Sequence, residues 1–320
     1  MKKVLLLFGG ESKEHQVSCE SANFIIQNID KKKYGLSIVG ITTNGTWYKI
    51  NNNFKIDKDW QNTLNEKIDN IVEYLKSFDI VFNIIHGNTG EDGKLQSLFE
   101  LFKIKYVGCD SYSSLICYDK LITKLFLEKY NIPQVPYLIY NDKIDLKQIE
   151  YPIIVKPNKS GSSIGINIAN NYKEAKRAIG EALKVDSSVI IEKYIKNKRE
   201  LECAIIENKN KLIISEIGEI INNAKWYDYI SKYKSNTEIK IANISEDLAN
   251  QIKNLSKTIF KILKCKKLSR IDFILDLDDN TLYFNEINTI PGFTKFSMFP
   301  MLIEKLGINQ SKLLDIMLES

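Results

Sequence analysis

The sequence predicts an α/β protein: an open parallel sheet first, then strand-rich α+β sequence. Three observations carry this. Residues 4–8 and 79–85 are short, unbroken apolar runs, as expected of parallel strands covered on both faces. Helical spacing follows each, at Val17, Ser21, Phe24, Ile25 and Ile29, and again at Leu95, Leu98, Phe99 and Phe102. After the break at Pro133 and Pro136, strand-like runs dominate.

Taken in order, residues 4–8 read as a first strand ending in the turn Gly9-Gly10, and residues 37–41 as a second. Residues 79–85 are a third. Residues 1–110 therefore form a βαβ-like first unit. Residues 114–131 read as one helix, with Tyr118, Leu121, Ile122 and Leu125 on a face. Strands are expected at 153–156, 163–169, 189–193, 200–206, 212–221, 270–276 and 281–287, which divide into units 111–193 and 194–320. Residues 222–243 lack periodicity and are rich in Lys, Tyr and Asn. A structureless loop of ~20 residues in a compact domain suggests a lid that closes over a ligand.

Bulk properties bound the function. At 320 residues, 44% hydrophobic and 27% charged, the chain can bury the core of a soluble globular enzyme. The net charge of +5 would suit nucleic acid, but the lysines are spread along the whole chain instead of forming a patch. Phosphate-bearing small ligands suit it equally well. Cys19, Cys109, Cys117, Cys203 and Cys265 are odd in number and widely spaced, so free thiols are expected, not disulfides or zinc. The apolar run at 4–8 is too short for a signal core, and no stretch reaches the ~20 apolar residues of a membrane span. The expected location is the cytoplasm.

Several segments carry chemistry. Lys156-Pro157 leads into Gly161-Ser162-Ser163-Ile164-Gly165, where small residues let backbone amides approach phosphate oxygens. The P-loop spacing is absent. A strand, glycine loop and strand covering phosphates is the nucleotide device of ATP-grasp enzymes, although a plain hairpin turn would use the same residues. Lys156 offers a point charge to phosphate, or is a surface lysine.

Near the C-terminus, Asp272 sits at the head of one strand, with Glu286 and Asn288 at the end of the next. Period-two geometry puts Glu286 and Asn288 on one face, ~6.6 Å apart. An oxygen-only set of two carboxylates and an amide suits Mg²⁺. No Cys or His nearby suggests zinc, and the flanking Ile271, Phe273, Ile287 and Ile290 argue against simple solvent-facing acids.

Pro291-Gly292 follows directly and would present a backbone amide to a reacting oxygen, or form an ordinary type II turn. His86-Gly87-Asn88-Thr89-Gly90-Glu91-Asp92-Gly93 lies past the carboxyl end of a buried strand, where open α/β sheets bind ligands. Glu14-His15 follows the first strand; there a carboxylate could pair with an amino group, or lie exposed.

Together these segments resemble the D-alanine:D-alanine ligase family of the ATP-grasp superfamily. Residues 8–18, residues 86–93, Asp119-Lys120, Lys156-Pro157, residues 161–165, Arg270-Ile271-Asp272, residues 285–294 and Ser297-Met298 match in the family's order over nearly the whole chain. The resemblance implies three α/β domains, a homodimer, ATP gripped between the central and C-terminal domains, and two Mg²⁺ ions, with Mn²⁺ as a substitute. It implies no nucleic-acid or membrane partner.

Residue by residue, the resemblance places Lys120, Lys156 and Ser162 at ATP phosphates. It places Glu192, with the backbone near Lys193 and Ile195, at adenine, and Glu200 at the ribose. Asp272, Glu286 and Asn288 are implied metal ligands. Glu14 is implied at the ammonium of the first D-alanine and His86 near its carboxylate. Arg270 and the Gly292 amide are implied oxyanion stabilisers, and Ser297 and Met298 implied seats for the second D-alanine. In the expected lid, Lys232 is implied to pair with phosphate, and Tyr233 to reach Glu14 and Ser162 and favour an amine nucleophile over D-lactate.

The implied reaction joins two D-alanines through an acyl phosphate, for peptidoglycan precursor synthesis. A different ATP-grasp ligase would lack the Glu14-His15 and His86 segments. A nucleic-acid binder would leave the carboxylate cluster unexplained.

Overall fold

The first apolar run does form a strand. In a computed structural model that describes residues 1–51, 56–57, 59–63, 66–221 and 238–319, β1 spans Lys2–Gly9, with Leu5 and Leu7 buried on one face and Val4, Leu6 and Phe8 on the other. α1 (His15–Asn28), β2 (Tyr34–Ile41), β3 (Trp47–Ile50), α2 (Ile71–Lys76), β4 (Ile80–Asn83), α3 (Lys94–Leu101) and β5 (Tyr106–Val107) follow. The sheet order is β3-β2-β1-β4-β5, with β1 parallel to β2 and β4, β4 parallel to β5, and β3 antiparallel at the edge. The carboxyl ends of β1 and β4 are therefore neighbours, which brings the Glu14 and His86 segments together.

The single helix expected over 114–131 is two, α4 (Ser111–Tyr118) and α5 (Lys120–Glu128). Asp119 breaks it: its backbone is extended, and its side chain caps the new helix by accepting from the Ile122 amide at 2.9 Å. The break aims Lys120 from the first turn of α5 towards the chain's central loop.

β6 (Tyr137–Ile139), β7 (Ile153–Pro157), β8 (Asn167–Ala169), α6 (Tyr172–Leu183) and β9 (Val189–Lys193) build a second sheet in the order β6-β9-β7-β8. The strand expected at 163–169 is confined to its last residues. Ser162, Ser163 and Gly165 adopt positive φ, which interrupts the pleat and leaves a turn-rich loop between β7 and β8.

β10 (Lys198–Asn208), β11 (Lys211–Ile221), β12 (Glu238–Ile241), α7 (Glu246–Ile262), β13 (Leu268–Asp276) and β14 (Leu282–Asn288) form a third sheet ordered β12-β11-β10-β13-β14, and α8 (Met298–Glu304) and α9 (Gln310–Glu319) end the chain. Of the loop expected at 222–243, residues 238–241 form β12 and pair with β11; residues 222–237, including Lys232 and Tyr233, lie outside the described residues.

The last helices bridge the third sheet and the first unit: α8 packs against β10 and β11, and α9 against β10 and α1. Phe293, Phe299, Leu313 and Leu314 share one buried cluster with Val4, Leu6 and Phe8 of β1 and with Ala204, Ile206 and Leu268 of the third sheet. Lys33 clamps α9, with its ammonium 2.6 Å from the Asp315 carboxylate. All five cysteines are buried thiols. Among the described residues, no helix is long and apolar enough to cross a membrane.

Candidate active site

The loop after β7 is tied down by three hydrogen bonds. Asn158 is buried and accepts from the Leu121 amide at 2.8 Å, and Lys120 donates to the Ser160 carbonyl at 2.6 Å; both fix the loop to the start of α5. At its tip, the Ser162 hydroxyl donates to the Glu14 carboxylate. Gly161 lies so close to Glu14 that a Cβ there would overlap the carboxylate and force it to shift.

Behind the loop opens a cleft of about 350 Å³, lined by Lys120, Lys156, Glu192, Glu200, Asp272 and Glu286 among others. Its floor holds a buried charge triad. Glu192 on β9 is 2% exposed and meets Lys156 at 2.5 Å through one oxygen and Lys124 at 2.8 Å through the other. Burial pushes the Glu192 carboxyl up, but the two ammonium groups outweigh it and hold it at about 2. Burial pulls the Lys124 ammonium below its ordinary range despite Glu192. Sequence reasoning missed Lys124, whose signal is its spacing of one helical turn from Lys120. The backbone from Lys193 to Ile195 borders the same cleft, and Glu200 pairs with Lys198 at 2.7 Å.

The acidic wall comes from strand register. β13 and β14 pair Asp272 with Glu286 and Arg270 with Asn288, so all four side chains share a face. β10 pairs Glu202 with Asp272, so carboxylates from three adjacent strands stand in a row. Glu202 too was missed; alternation with Glu200 along β10 was its signal.

Arg270 forks onto Asp272 at 2.8 and 2.7 Å and reaches Glu202 at 2.8 Å, while the Asn288 amide donates to Asp272 at 3.1 Å. Burial works against the Arg270 charge, yet Asp272 and Glu202 raise its affinity for the proton further. Lys120 stands 3.5 Å from Glu286. Among the described residues no three His, Cys, Asp or Glu side chains converge as metal ligands; Arg270 and Lys120 supply the positive charge between these acids. The donor set of Asp272, Glu286 and Asn288 is all hard oxygen and fits a divalent cation such as Mg²⁺.

A second, smaller pocket of about 80 Å³ adjoins the cleft at Gly161, Ser162 and Glu286. Glu14 and His86 line one side, Arg270 and Gly292 another, and Ser297 with Met298 the far end. Glu14 precedes α1 and is 8% exposed. Its neighbour His15 points elsewhere: Nδ1 donates to the Gly10 carbonyl at 2.6 Å and Nε2 accepts from the Trp60 indole at 3.0 Å, an anchoring role in the fold.

His86 is fully enclosed. Its Nδ1 lies 3.0 Å from the Ile290 carbonyl and 3.7 Å from Glu91, and its Nε2 lies 3.0 Å from the Ser21 hydroxyl. Burial lowers the His86 pKa, but Glu91, Glu14 and the Ile290 carbonyl together raise it above its ordinary value. The Ser297 hydroxyl accepts from the Thr294 amide at 3.0 Å, which shapes the turn carrying Gly292.

The arrangement offers lysines and small residues to a polyphosphate, hard oxygens to a cation, a carboxylate to an ammonium and Arg270 to a developing oxyanion. Residues 3–109 match the family described as "D-ala D-ala ligase N-terminus" and residues 126–319 that described as "D-ala D-ala ligase C-terminus". The D-alanine–D-alanine ligase of Caldicellulosiruptor bescii is 40% identical over 98% of this chain and 93% of its own length. Among solved structures, the VanG D-Ala:D-Ser ligase of Enterococcus faecalis superposes with a TM-score of 0.87 at 31% identity, covering 99% of this chain and 98% of that one. The D-alanine–D-alanine ligase of Bacillus anthracis complexed with ATP gives 0.77 at 30% identity, covering 100% and 97%. With matches to both halves and over full length, this chain has the ATP-grasp fold and belongs to the family of ATP-dependent D-alanine–D-alanine ligases that serve peptidoglycan synthesis.

Proposed function

We propose that the large cleft takes ATP and the small pocket takes D-alanine, and that Gly161 and Ser162 hold the two at the shared wall. The observation that carries this is the contact of the phosphate-type loop with Glu14: one loop touches both sites. The ATP complex of the Bacillus anthracis relative supports the nucleotide assignment.

In this reading Glu14 holds the ammonium of the first D-alanine, and His86, whose affinity for a proton Glu91 raises, faces its carboxylate. That carboxylate attacks the γ-phosphoryl group of ATP, breaking its bond to the β-phosphate to give an acyl phosphate and ADP; Lys120, Lys156 and Ser162 orient the phosphates, with the backbone from Lys193 to Ile195 and Glu192 at adenine and Glu200 at the ribose. Mg²⁺, held by Asp272, Glu286 and Asn288, would neutralise charge on the phosphates when bound. The amine of a second D-alanine, seated by Ser297 and Met298, attacks the acyl carbon. Arg270 and the Gly292 amide face the tetrahedral oxyanion, and phosphate leaves. No Ser or Cys nucleophile is required.

The D-Ala:D-Ser relative favours a second reading, D-serine as nucleophile. The small apolar end at Met298 favours D-alanine, although a hydroxyl is rejected by only about 10²-fold in such pockets. Incubation with ATP, Mg²⁺ and equal D-alanine, D-serine and D-lactate tests both. D-alanyl-D-alanine and ADP should dominate; D-alanyl-D-serine or an ester as the main product would overturn the D-alanine assignment. We also propose a cytoplasmic homodimer, supported by exposed Leu101, Tyr112 and Leu115 on neighbouring α3 and α4. Light scattering at the monomer mass would refute the dimer.

A further inference from the structure

α5 carries two lysines one turn apart that do different things. Lys120 borders the cleft. Lys124 does not border it: it is 2% exposed, its ammonium 2.8 Å from Glu192 and 4.9 Å from the centre of the Tyr137 ring. Tyr137 lies directly across from Glu192 in the pairing of β6 with β9, and its half-buried ring covers the buried pair of Glu192 and Lys124. Lys156 is the outward member. It pairs with Glu192 at 2.5 Å, reaches Asn285 at 3.3 Å, and lines the cleft.

Lys156 thus has two claims on it: Glu192, and the phosphates of an entering nucleotide. A buried carboxylate stripped of its only counter-ion is strongly disfavoured, so with Lys156 alone, Glu192 would hold that lysine back. Resting on the ATP reading of the cleft, we propose that Lys124 is a positioning residue: it stays as the permanent counter-ion of Glu192 and so frees Lys156 to move to ATP. The triad carries a net positive charge before the nucleotide arrives, as a site for an anion should.

The test compares wild type, Lys124→Met, Glu192→Gln, the double variant and Lys124→Arg, by Mg-ATP binding without D-alanine and by steady-state kinetics. Lys124→Met should raise KM for ATP roughly tenfold or more, while KM for D-alanine stays within about twofold. Because the double variant has no buried carboxylate to neutralise, its loss should be about tenfold smaller than the product of the two single losses. Lys124→Arg should recover part of the affinity. An unchanged KM for ATP in Lys124→Met, or strictly multiplicative losses in the double variant, would overturn the proposal while leaving the ATP site intact. Absence of ATP binding by the wild type would instead remove the cleft reading itself. Should Lys124→Met fail to fold, Lys124→Arg and the double variant against Glu192→Gln decide: without Lys124, Glu192→Gln and the double variant should bind ATP alike, and a further tenfold loss in the double would sink the idea.

Discussion

Replacing Glu192 by Gln should cost stability as well as nucleotide affinity, and the size follows from the triad. The carboxyl is held at about 2 against an ordinary 4.5. A gap of roughly 2.5 pKa units is worth on the order of 3 kcal/mol at neutral pH. Both oxygens are engaged by lysines inside the protein, so little is lost to solvent screening, and the variant leaves two ammonium groups facing a neutral amide. Removing one partner of a buried pair costs about 3–5 kcal/mol, which agrees.

The folded-state pKa is depressed, so this stability is complete above the unfolded value and is lost as pH falls from about 5 towards 2. At pH 3.5 roughly 2 kcal/mol of it should remain. Urea melts followed by tryptophan fluorescence, at pH 7 and at pH 3.5, would measure both gaps. A variant within about 1 kcal/mol of wild type at pH 7, or a gap that does not narrow in acid, would refute the reasoning.

Gly161→Ala should raise KM for the first D-alanine by about tenfold or more with little change in melting temperature, since the new Cβ meets the Glu14 carboxylate and no core. An unchanged KM would separate Glu14 from the ammonium. Glu286→Gln should lower turnover by roughly two orders of magnitude or more and raise the Mg²⁺ needed for half-maximal rate, with the fold kept; near-normal turnover at low Mg²⁺ would remove Glu286 from the metal site. Glu91→Gln should move the His86 imidazole titration, read by NMR, downward, because burial then meets less opposition. His86 contributes stability that is complete below about 6.5 and fades as pH rises through its raised folded value, and this dependence should weaken in the same variant.

Much of the site was legible because strand and turn chemistry is local. Alternation placed Glu286 and Asn288 on one face, and β13 pairing put Asp272 beside them. The loop at Gly161 was readable because small residues near positive φ are written into the chain. Less legible was what depends on partners. The strand read at 163–169 is mostly loop, because apolar alternation at Ile164, Ile166 and Ile168 does not reveal φ. One helix became two because Asp119 caps, a preference outvoted in the periodicity by the leucines and isoleucines around it. Glu14 and His15 looked alike in sequence, yet one faces the pocket and the other is bonded to Gly10 and Trp60.

By itself the sequence determined the α/β class, the order of the segments and the residue types of a phosphate, cation and ammonium site, since period, composition and turn residues act over a few positions. Only the tertiary structure decided which charges neutralise which. Lys124, Glu192 and Lys156 lie on different elements, and so do Glu202, Arg270 and Lys120 as a group. An ion pair's worth depends on distance and burial, and neither exists until helix α5 and the three sheets have packed.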